Sequence, residues 1–405
     1  MKKYVAMLLA LVMVFALCAC GSKTDDVGSA DADFKVGFIC LHDENSTYDK
    51  NFIDAAKAAC ANLGLSEDQY IIKTGIPEDQ ECYNAAADLV DAGCSVVFAD
   101  SFGHEDFMIR AAKEFPDVQF CHATGTRAHT EGLSNYHNAF ASIYEGRYIA
   151  GVAAGLKLNE MIAASEFSAE EAKMGYVGAF PYAEVISGYT SFFLGARSVC
   201  PTVTMDVTFT GSWYDEALEK EAANKLIAGG CKLISQHADS MGAPTACEKA
   251  GIPNVSYNGS TEAACPNTFI VSSRIDWTPY YEMVIKAVMD GDTASLESDW
   301  TGTLATGSVV LTDVNENAAA EGTADKIAEV KASLEDGSLR VFDTAAFTVG
   351  GETLDSYMAD VDTDANFEGD TEAIVDGCFR ESEFRSAPYF DLKIDGITML
   401  GTNFG

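Results

Sequence analysis

Residues that could carry out chemistry are concentrated in short segments that follow apolar runs. The first is Leu41 to Phe52, with the sequence LHDENSTYDKNF, and it follows the apolar run at 35–40. It offers imidazole, carboxylate, amide and hydroxyl groups, together with one aromatic ring. Such groups could bind a metal ion, a phosphate group or an organic ligand, and none of them is needed to build a hydrophobic core.

Segments of the same kind recur along the chain. They are DSFGHED (100–106), HATGT (122–126), AFPYAE (179–184), GSWYD (211–215), QHADS (236–240) and YNGST (257–261). Each contains aromatic, amide, hydroxyl, acidic or histidine side chains. Aromatic faces combined with directional hydrogen-bonding groups suit a flat, polar, uncharged organic molecule.

The elements between these segments indicate how they are positioned. Short, continuous apolar runs alternate with stretches of helical periodicity, which predicts parallel strands that are buried on both faces. Two such series predict an α/β protein with two doubly wound, Rossmann-like lobes. We place the first lobe at 34–140, completed by about 274–304, and the second at 141–273. Residues 305–405 are predicted to form a C-terminal crossover and an extension that packs on both lobes. In open parallel sheets the ligand lies at the carboxyl ends of the strands, where all these polar segments fall.

Other chemistries find less support in the sequence. His42, Asp43, Glu44 and Asp49 could bind a hard metal ion, but there is no His pair at i, i+4 and no calcium-loop rhythm. The first strand is not followed by GxGxxG, and neither GxxxxGK[ST] nor GxSxG is present. A lone histidine such as His122 or His237 at a strand end is more readily explained by a hydrogen bond to a ligand or to the backbone of a loop than by a role as a general base. We therefore expect no metal, no cofactor and no enzymatic activity.

Composition excludes one class of partner. The formal net charge is −36, with 62 acidic and 26 basic residues, and no basic cluster follows the first few residues. A nucleic-acid partner would require such a cluster, so none is expected.

The amino terminus has the features of an export signal. Lys2 and Lys3 precede an apolar run from Tyr4 to Leu17, which is short for a membrane span. The following Leu-Cys-Ala-Cys ends at Cys20 and resembles a bacterial lipobox. That resemblance implies a signal peptide at 1–19, a lipid on Cys20, a tether at 20–33 and a location on the outer face of the cell membrane. Ten cysteines would then remain after Cys18 and Cys20, and we expect most to be free, buried thiols.

Several long motifs, in order, identify the chain as similar to the basic membrane protein family. They are SFGHEDFMIRAAKEFPDVQFCHATG (101–125), YEGRYIAGVAAG (144–155), GYVGAFPYAEVISG (175–188), LGARSVCP (194–201), GSWYDEALEKEAANKLIAGG (211–230) and DWTPYYEMVIKAVMDG (276–291). These proteins are lipoprotein solute receptors of ABC importers, and the family includes purine nucleoside receptors, which are PnrA-like. The resemblance extends from about Lys35 to near Asp299.

The resemblance implies a periplasmic-binding-protein-like type I fold with a ligand cleft between two lobes. We place the three hinge crossings near Phe140, near 272–274 and near 304–311. The implied partners are a small solute, an ABC permease and an ATPase. Similar proteins often have an aromatic residue where this chain has Ser46, so stacking would fall to residues such as Tyr48 and Trp277. The predicted ligand-binding residues are Asn45, Thr47, Tyr48, Ser101, Phe102, His122, Thr124, Phe180, Trp213, His237, Asp239, Asn258 and Trp277.

The resulting hypothesis is a lipid-anchored, extracytoplasmic binding protein that captures a purine nucleoside or a purine base for import. Nucleoside receptors of the family tend to have an acid where this chain has Asn258, which leaves the choice of solute open. The alternative is a ligand-sensing or adhesion lipoprotein that is not coupled to import.

Overall fold

A computed structural model describes residues 33–362 and 368–401 of the chain. The predicted signal peptide, the lipidation site at Cys20 and the tether up to residue 32 lie outside these residues. In the part that the structure describes, no helix is both long enough and apolar enough to span a membrane.

The secondary structure alternates between strands and helices over most of the chain. The strands are β1 (Lys35–Ile39), β2 (Tyr70–Lys73), β3 (Cys94–Ala99), β4 (Gln119–Ala123), β5 (Tyr136–Ala141), β6 (Lys173–Gly178), β7 (Thr204–Phe209), β8 (Leu233–His237), β9 (Asn254–Tyr257), β10 (Phe269–Ile275), β11 (Asp299–Gly302), β12 (Val309–Leu311), β13 (Met358–Ala359), β14 (Thr371–Glu372), β15 (Ile374–Val375), β16 (Cys378–Phe379) and β17 (Ile397–Met399). The helices are α1 (Thr47–Asn62), α2 (Gln80–Asp91), α3 (Glu105–Glu114), α4 (Ala128–Glu131), α5 (Ile143–Ala163), α6 (Ala183–Val199), α7 (Glu216–Ala228), α8 (Gly242–Ala250), α9 (Thr278–Asp290) and α10 (Thr323–Glu335).

The first lobe is built on a six-stranded sheet in the order β11-β5-β4-β3-β1-β2. All its neighbouring strands are parallel. Residues of β3, with the sequence CSVVFA, are almost all buried because helices cover both faces of the sheet. Strand β11 comes from far along the chain and pairs with β5 at the edge of the sheet.

The second lobe contains a seven-stranded sheet in the order β12-β10-β9-β8-β6-β7-β17. Its neighbours are parallel except for β10 and β12, which are antiparallel. Together the two sheets confirm the predicted α/β class with two doubly wound lobes.

The chain crosses between the two sheets three times. The crossings lie at Ser142, between β5 and α5, at 276–277, between β10 and α9, and at 303–308, between β11 and β12. Because each crossing is short, the lobes are joined at one side of the molecule, and the carboxyl ends of the parallel strands face each other.

Two glycines allow the helices α5 and α6 to pack in backbone contact. A Cβ atom at Gly151 would lie 2.0 Å from the carbonyl oxygen of Phe192, and one at Gly195 would lie 2.0 Å from that of Tyr148. No other residue fits at such a distance, which explains the GVAAG and LGAR motifs as packing features.

The C-terminal segment contacts both lobes. Strand β17 adds to β7 at the edge of the second sheet. In the first lobe, Asp299 accepts hydrogen bonds from the backbone N–H and the hydroxyl of Ser386, both at 2.9 Å. In the second lobe, the hydroxyl of Ser187 donates to Glu381. The segment has its own aromatic core, in which the rings of Phe342 and Phe390 stack with centroids 4.3 Å apart.

Ten cysteines fall within the described residues. All are buried, and none of these ten forms a disulfide. Burial raises the pKa of several of these thiols, for example to about 12 for Cys60, so they behave as small apolar side chains.

Candidate ligand-binding site

A cavity lies between the two lobes, where the carboxyl ends of the strands converge; the space within it, part of which is open to solvent, is about 360 Å³. Its wall is formed by Leu41, His42, Tyr48, Asp49, Ser101, Phe102 and Thr124 of the first lobe and by Glu184, Trp213, His237 and Asp239 of the second.

Asp49 holds the first loop in place. The side chain of Ser46 caps α1 by accepting a hydrogen bond from the backbone N–H of Asp49. The carboxylate of Asp49 accepts from the backbone N–H of His42 at 2.7 Å and from the hydroxyl of Ser46 at 2.6 Å. Burial alone would raise the pKa of Asp49, but these hydrogen bonds with His42 and Ser46 lower it below its usual value. The loop is therefore fixed around an ionised carboxylate.

Tyr48 is anchored at its hydroxyl. That hydroxyl donates to the backbone oxygen of Asp100 at 2.6 Å, and the ring lies 4.9 Å from the ring of Phe52. The rest of the ring lines the cavity. A ring that is held at both its edge and its tip offers a rigid apolar surface to a ligand.

The loop after β3 is ordered by buried polar groups. The hydroxyl of Ser101 donates to Glu78 at 2.6 Å, and the same carboxylate accepts from the backbone of Gly103 at 2.7 Å. The ring of His122 is fully buried, and its Nε2 lies 2.6 Å from the carbonyl oxygen of Ser101. Burial lowers the pKa of His122, so the neutral ring donates to that carbonyl. His122 thus supports the loop from behind.

Thr124 has an unusual backbone conformation. Its φ angle is +68°, in the left-handed region that a β-branched residue rarely adopts. Thr124 lines the cavity, and its hydroxyl is buried with no hydrogen-bond partner among the described residues. Strain of this kind concentrates at functional sites. The conformation is consistent with a hydroxyl that is held ready for a ligand.

Asn258, at the end of β9, has the same unusual backbone conformation as Thr124. Its φ angle is +67°, and its amide donates to Oδ1 of Asp239 at 3.2 Å. Asn258 therefore orients the carboxyl of Asp239 and does not itself line the cavity.

The wall of the second lobe contains a histidine between an acid and an aromatic ring. Nε2 of His237 lies 3.3 Å from Glu184, and its ring lies 4.5 Å from that of Tyr257. Behind this ring, the guanidinium of Arg147 is completely buried and lies 4.8 Å from the centre of the Tyr257 ring. Burial lowers the pKa of His237, which keeps the ring neutral.

Acidic side chains are crowded around the cavity. Asp239 is only 5% exposed, and burial raises its pKa well above the usual value; the nearby carboxylates of Asp49, Glu219 and Glu184 raise it further. Asp100 is similarly affected, first by burial and then by Asp49. Among the described residues, no group of three or more His, Cys, Asp or Glu side chains has an arrangement that could hold a metal ion.

The two lobes touch across the cavity. The backbone N–H and the hydroxyl of Thr47 donate to the carbonyl oxygen of Asp239 at 3.0 and 3.1 Å. The rings of Phe102 and Tyr182, one from each lobe, have centroids 5.4 Å apart. The structure is therefore in a closed arrangement.

The structure brings most of the predicted ligand-binding residues together. Those that line the cavity are Tyr48, Ser101, Phe102, Thr124, Trp213, His237 and Asp239. Thr47, His122 and Asn258 lie one layer behind and hold other residues in place. Phe180 stands next to the wall, with its ring 5.2 Å from that of Trp213, but it does not line the cavity.

Two predicted residues lie elsewhere. Asn45 is exposed and hydrogen-bonds to Asp43 outside the cavity. Trp277 is 1% exposed and stacks on Phe52 with ring centroids 4.5 Å apart. It packs in the core of the first lobe because α9 covers α1 there, so the placement of Trp277 against a ligand needs correction.

Four lining residues were not among the predicted set: Leu41, His42, Asp49 and Glu184. His42, Asp49 and Glu184 were visible as polar residues in the strand-end segments. Leu41 gave no signal, because an apolar residue at a strand end resembles core.

Two doubly wound sheets, three crossings and a cavity between the lobes define the class of periplasmic-binding-protein-like solute receptors. An ABC transporter solute-binding protein from Conexibacter woesei shares the fold with a TM-score of 0.59 and 20% identity, covering 76% of this chain and 98% of that one. One from Aeropyrum pernix has a TM-score of 0.63 and 16% identity, covering 76% and 93%.

The chain belongs to the Bmp family, described as ABC transporter substrate-binding protein PnrA-like, whose family model matches residues 38–338. This confirms the resemblance found in the sequence. A purine-binding protein of Brucella abortus is 33% identical over 71% of this chain and 78% of its own length. The nucleoside-binding protein BmpA of Lactococcus lactis is 24% identical, covering 60% and 67%. A putative ABC transporter glucose-binding protein of Haloferax volcanii is 34% identical, covering 62% and 60%.

Membership makes the protein the substrate-binding component of an ABC transporter. Such a component works outside the cytoplasm, binds a small solute and cooperates with a permease and an ATPase. The family consists of binding proteins and not of enzymes.

Proposed function

We propose that the protein captures a purine base or a purine nucleoside in the cavity between its lobes and delivers it to an ABC permease. The observation that carries this proposal is the combination of aromatic surfaces and hydrogen-bonding groups around one small cavity. The names of the Brucella and Lactococcus relatives, a purine-binding and a nucleoside-binding protein, agree with it.

The aromatic surfaces come from both lobes. Tyr48 and Phe102 line the cavity from the first lobe, and Trp213 lines it from the second. Stacking of a base on an aromatic ring is worth about 1–3 kcal/mol in nucleic-acid-binding proteins. Rings on opposite walls would hold a planar solute most tightly when the lobes are closed.

The polar groups are suited to the edge of such a ring. Thr124 offers an unpartnered hydroxyl, and Asp239 and Glu184 offer carboxyl oxygens. A purine presents donors and acceptors around its edge, so buried groups of both kinds favour it over a purely apolar solute.

A sugar is the second candidate, because the Haloferax relative carries the name of a putative glucose-binding protein. Carboxylates also accept hydrogen bonds from sugar hydroxyls, and aromatic rings pack on sugar faces. The two candidate solutes differ in shape. A purine is planar, whereas a sugar ring has no extended flat face that could stack between Trp213 and the rings of the first lobe.

We also propose that the protein is attached to the membrane through a lipid on Cys20, as the lipobox-like sequence indicates. In cells, Cys20→Ala should abolish incorporation of a labelled fatty acid and leave the precursor unprocessed. Cys18→Ala provides the matched control, because it should retain the label. Unmodified Cys20 in the wild-type protein would contradict the anchor.

Mass spectrometry of the small molecule that co-purifies with protein starting near Asp33 tests the solute directly. Calorimetric titration of unfolded and refolded, ligand-free protein with adenine, adenosine and D-glucose then ranks the candidates. Binding of a purine compound with D-glucose silent supports the proposal, and the reverse result replaces it with the sugar. A receptor that serves sensing or adhesion would bind its ligand equally well but would not support uptake, which a cellular transport assay distinguishes.

A further inference from the structure

The C-terminal segment, which follows the family match ending at residue 338, is attached to the second lobe at several places. Strand β17 pairs with β7. The guanidinium of Arg197 in α6 donates to the carbonyl oxygens of Ala346 at 2.6 Å and of Asp395 at 3.2 Å. The hydroxyl of Ser187, also in α6, donates to the buried carboxyl of Glu381. The segment is therefore firmly joined to the second lobe.

The same segment is bonded to the first lobe at a single position. Among the described residues, its hydrogen bonds to this lobe both end on Asp299, which accepts from the backbone N–H and the hydroxyl of Ser386 at 2.9 Å. Ser386 is completely buried, and the other carboxylate oxygen of Asp299 lies 3.3 Å from the ring of His129 in α4. The attachment to the first lobe is therefore narrow, polar and shielded from water.

The attachment point in the first lobe lies at the cleft. Asp299 is in register with Asn138 of β5, and Asn138 is in register with His122 of β4. His122 in turn pairs with Ala99, the last residue of β3. Just beyond Ala99 the chain reaches Ser101, which lines the cavity. Asp299 is therefore level with the end of the first sheet that faces the second lobe.

The attachment point in the second lobe is also at the cleft. Ser187 lies near the start of α6, three residues after Glu184. Residues three apart are neighbours on the surface of a helix, and Glu184 lines the cavity. Hinge opening moves the facing ends of two lobes apart. Ser187 and Asp299 would therefore have to separate when the lobes open.

The loop between the two attachment points has little slack. Glu381 and Ser386 are five residues apart, so even a fully extended chain would span only about 17 Å between them. The loop is compact, because the hydroxyl of the buried Tyr389 accepts hydrogen bonds from the backbone N–H groups of Glu383 at 3.1 Å and of Phe384 at 3.3 Å. Lengthening of the loop would break these bonds.

We propose that residues 381–386 form a strap between the lobes, which limits opening of the cleft and stabilises the closed arrangement before any solute binds. To open fully, the protein has to release Ser386 from Asp299 or loosen the loop around Tyr389. The proposal does not depend on the identity of the solute. Because the family match ends at residue 338, the strap lies outside the part of the chain that the family model covers.

The backbone N–H of Thr47 can report opening. It donates to the carbonyl oxygen of Asp239 in the opposite lobe at 3.0 Å, so it exchanges with deuterium when that contact breaks. Exchange is measured on the purified full chain, unfolded and refolded to remove any bound solute, with mass-spectrometric fragmentation that resolves Thr47. The amides of β3, which lies in the core of the first lobe, report global unfolding in the same experiment.

Two variants weaken the attachment to the first lobe. Ser386→Ala removes the hydroxyl donor, and Asp299→Ala removes the acceptor of both hydrogen bonds. In each variant, exchange at Thr47 should increase by a factor at least threefold larger than the increase in β3. If Asp299→Ala fails to fold, the milder Ser386→Ala decides the test. Thr348→Val is the matched control, because the hydroxyl of Thr348 bonds to Asp395 within the segment itself; it should exchange like the wild type.

Three results would overturn the strap. If Thr47 exchanges at the wild-type rate in the folded variants, the attachment does not limit opening. If exchange at Thr47 and in β3 increases by the same factor, the variants only destabilise the fold. If Thr348→Val increases exchange at Thr47 as much as Ser386→Ala does, the effect does not come from the attachment to Asp299. None of these results bears on the proposed function, because the experiment contains no solute.

Discussion

Thr47 of the first lobe donates two hydrogen bonds to one carbonyl oxygen of the second, that of Asp239, at 3.0 Å from its backbone N–H and 3.1 Å from its hydroxyl. Thr47 begins helix α1, and Asp239 follows β8, so this contact joins the ends of two elements that lie on opposite sides of the cavity. It exists only when the lobes are closed.

Removal of the Thr47 hydroxyl should shift the protein toward the open form. A net hydrogen bond contributes about 0.5–1.5 kcal/mol, so Thr47→Val should weaken solute affinity roughly two- to tenfold. Small-angle scattering should show that the variant needs more solute than the wild type to reach the compact form, as expected for hinge closure.

Thr202→Val is the matched control, because the hydroxyl of Thr202 donates to a carbonyl within the second lobe, that of Ala169. It should leave affinity and scattering unchanged. Equal scattering profiles with and without saturating solute would mean that the lobes do not move.

Truncation of Tyr48 should affect the ligand more than the fold. Its ring lines the cavity, and its hydroxyl bond to the Asp100 backbone orients it without completing the core. By comparison with base-stacking platforms, the loss is about 1–3 kcal/mol. Tyr48→Ala should therefore bind solute roughly tenfold to a hundredfold more weakly, while the melting temperature of the empty protein changes little.

Trp277→Ala is the contrasting variant. Because Trp277 is buried against Phe52, its truncation should cost about 3–5 kcal/mol of unfolding free energy and lower the melting temperature clearly. If Tyr48→Ala bound the solute as tightly as the wild type does, the first loop would not belong to the ligand-binding site.

Buried glutamates should make stability decrease as pH rises. Burial raises the pKa of Glu219 to about 7, so the folded protein holds this proton more tightly than the unfolded chain does. Its contribution to stability is complete below the unfolded pKa and is lost as pH rises through about 7. Burial is also the main cause that raises the pKa values of Glu145 and Glu381 to about 7.

Glu219→Gln should therefore flatten part of the decline in unfolding free energy between pH 5 and 8, by an amount on the order of 3 kcal/mol. Urea denaturation across this range measures it. Glu221→Gln, on the exposed face of the same helix where Glu221 pairs with Lys225, should follow the wild type. An identical pH profile for Glu219→Gln and the wild type would show that Glu219 titrates normally.

The C-terminal segment should be fastened to the first lobe by Asp299. This carboxylate accepts two hydrogen bonds from Ser386 and lies 3.3 Å from His129. Asp299→Ala would leave the buried N–H and hydroxyl of Ser386 without an acceptor. Each unpaired donor can reduce the free energy of unfolding by up to about 1–3 kcal/mol. We expect a loss of about 2 kcal/mol in unfolding free energy and faster limited proteolysis within residues 340–401.

Asp292→Ala, at an exposed position between α9 and β11, is the control and should be cleaved like the wild type. Unchanged proteolysis in Asp299→Ala would mean that the aromatic core around Phe342 and Phe390 fastens the segment without this contact.

The alternation of apolar and helical segments determined the α/β class and most element positions, because each strand and helix is recorded in local periodicity. The apolar run at 35–40, for instance, contains the first strand, Lys35–Ile39. Local periodicity also placed Tyr48, Ser101, Thr124, His237 and Asp239 at strand ends, and parallel strands bring those ends to one edge. The sequence alone therefore predicts the edge at which a ligand site is expected.

Only the tertiary structure decided which of these residues reach the cavity. Trp277 and Tyr48 are both aromatic and both lie near strand ends, yet helix packing buries one and leaves the other on the wall. Asn258 and His122 lie one layer behind because hydrogen bonds to Asp239 and Ser101 turn them away from the cavity. Glu184 and Asp239 face one space because strands of a single sheet bring together residues 55 positions apart. Such contacts depend on distances across the fold, and those distances leave no trace in local sequence.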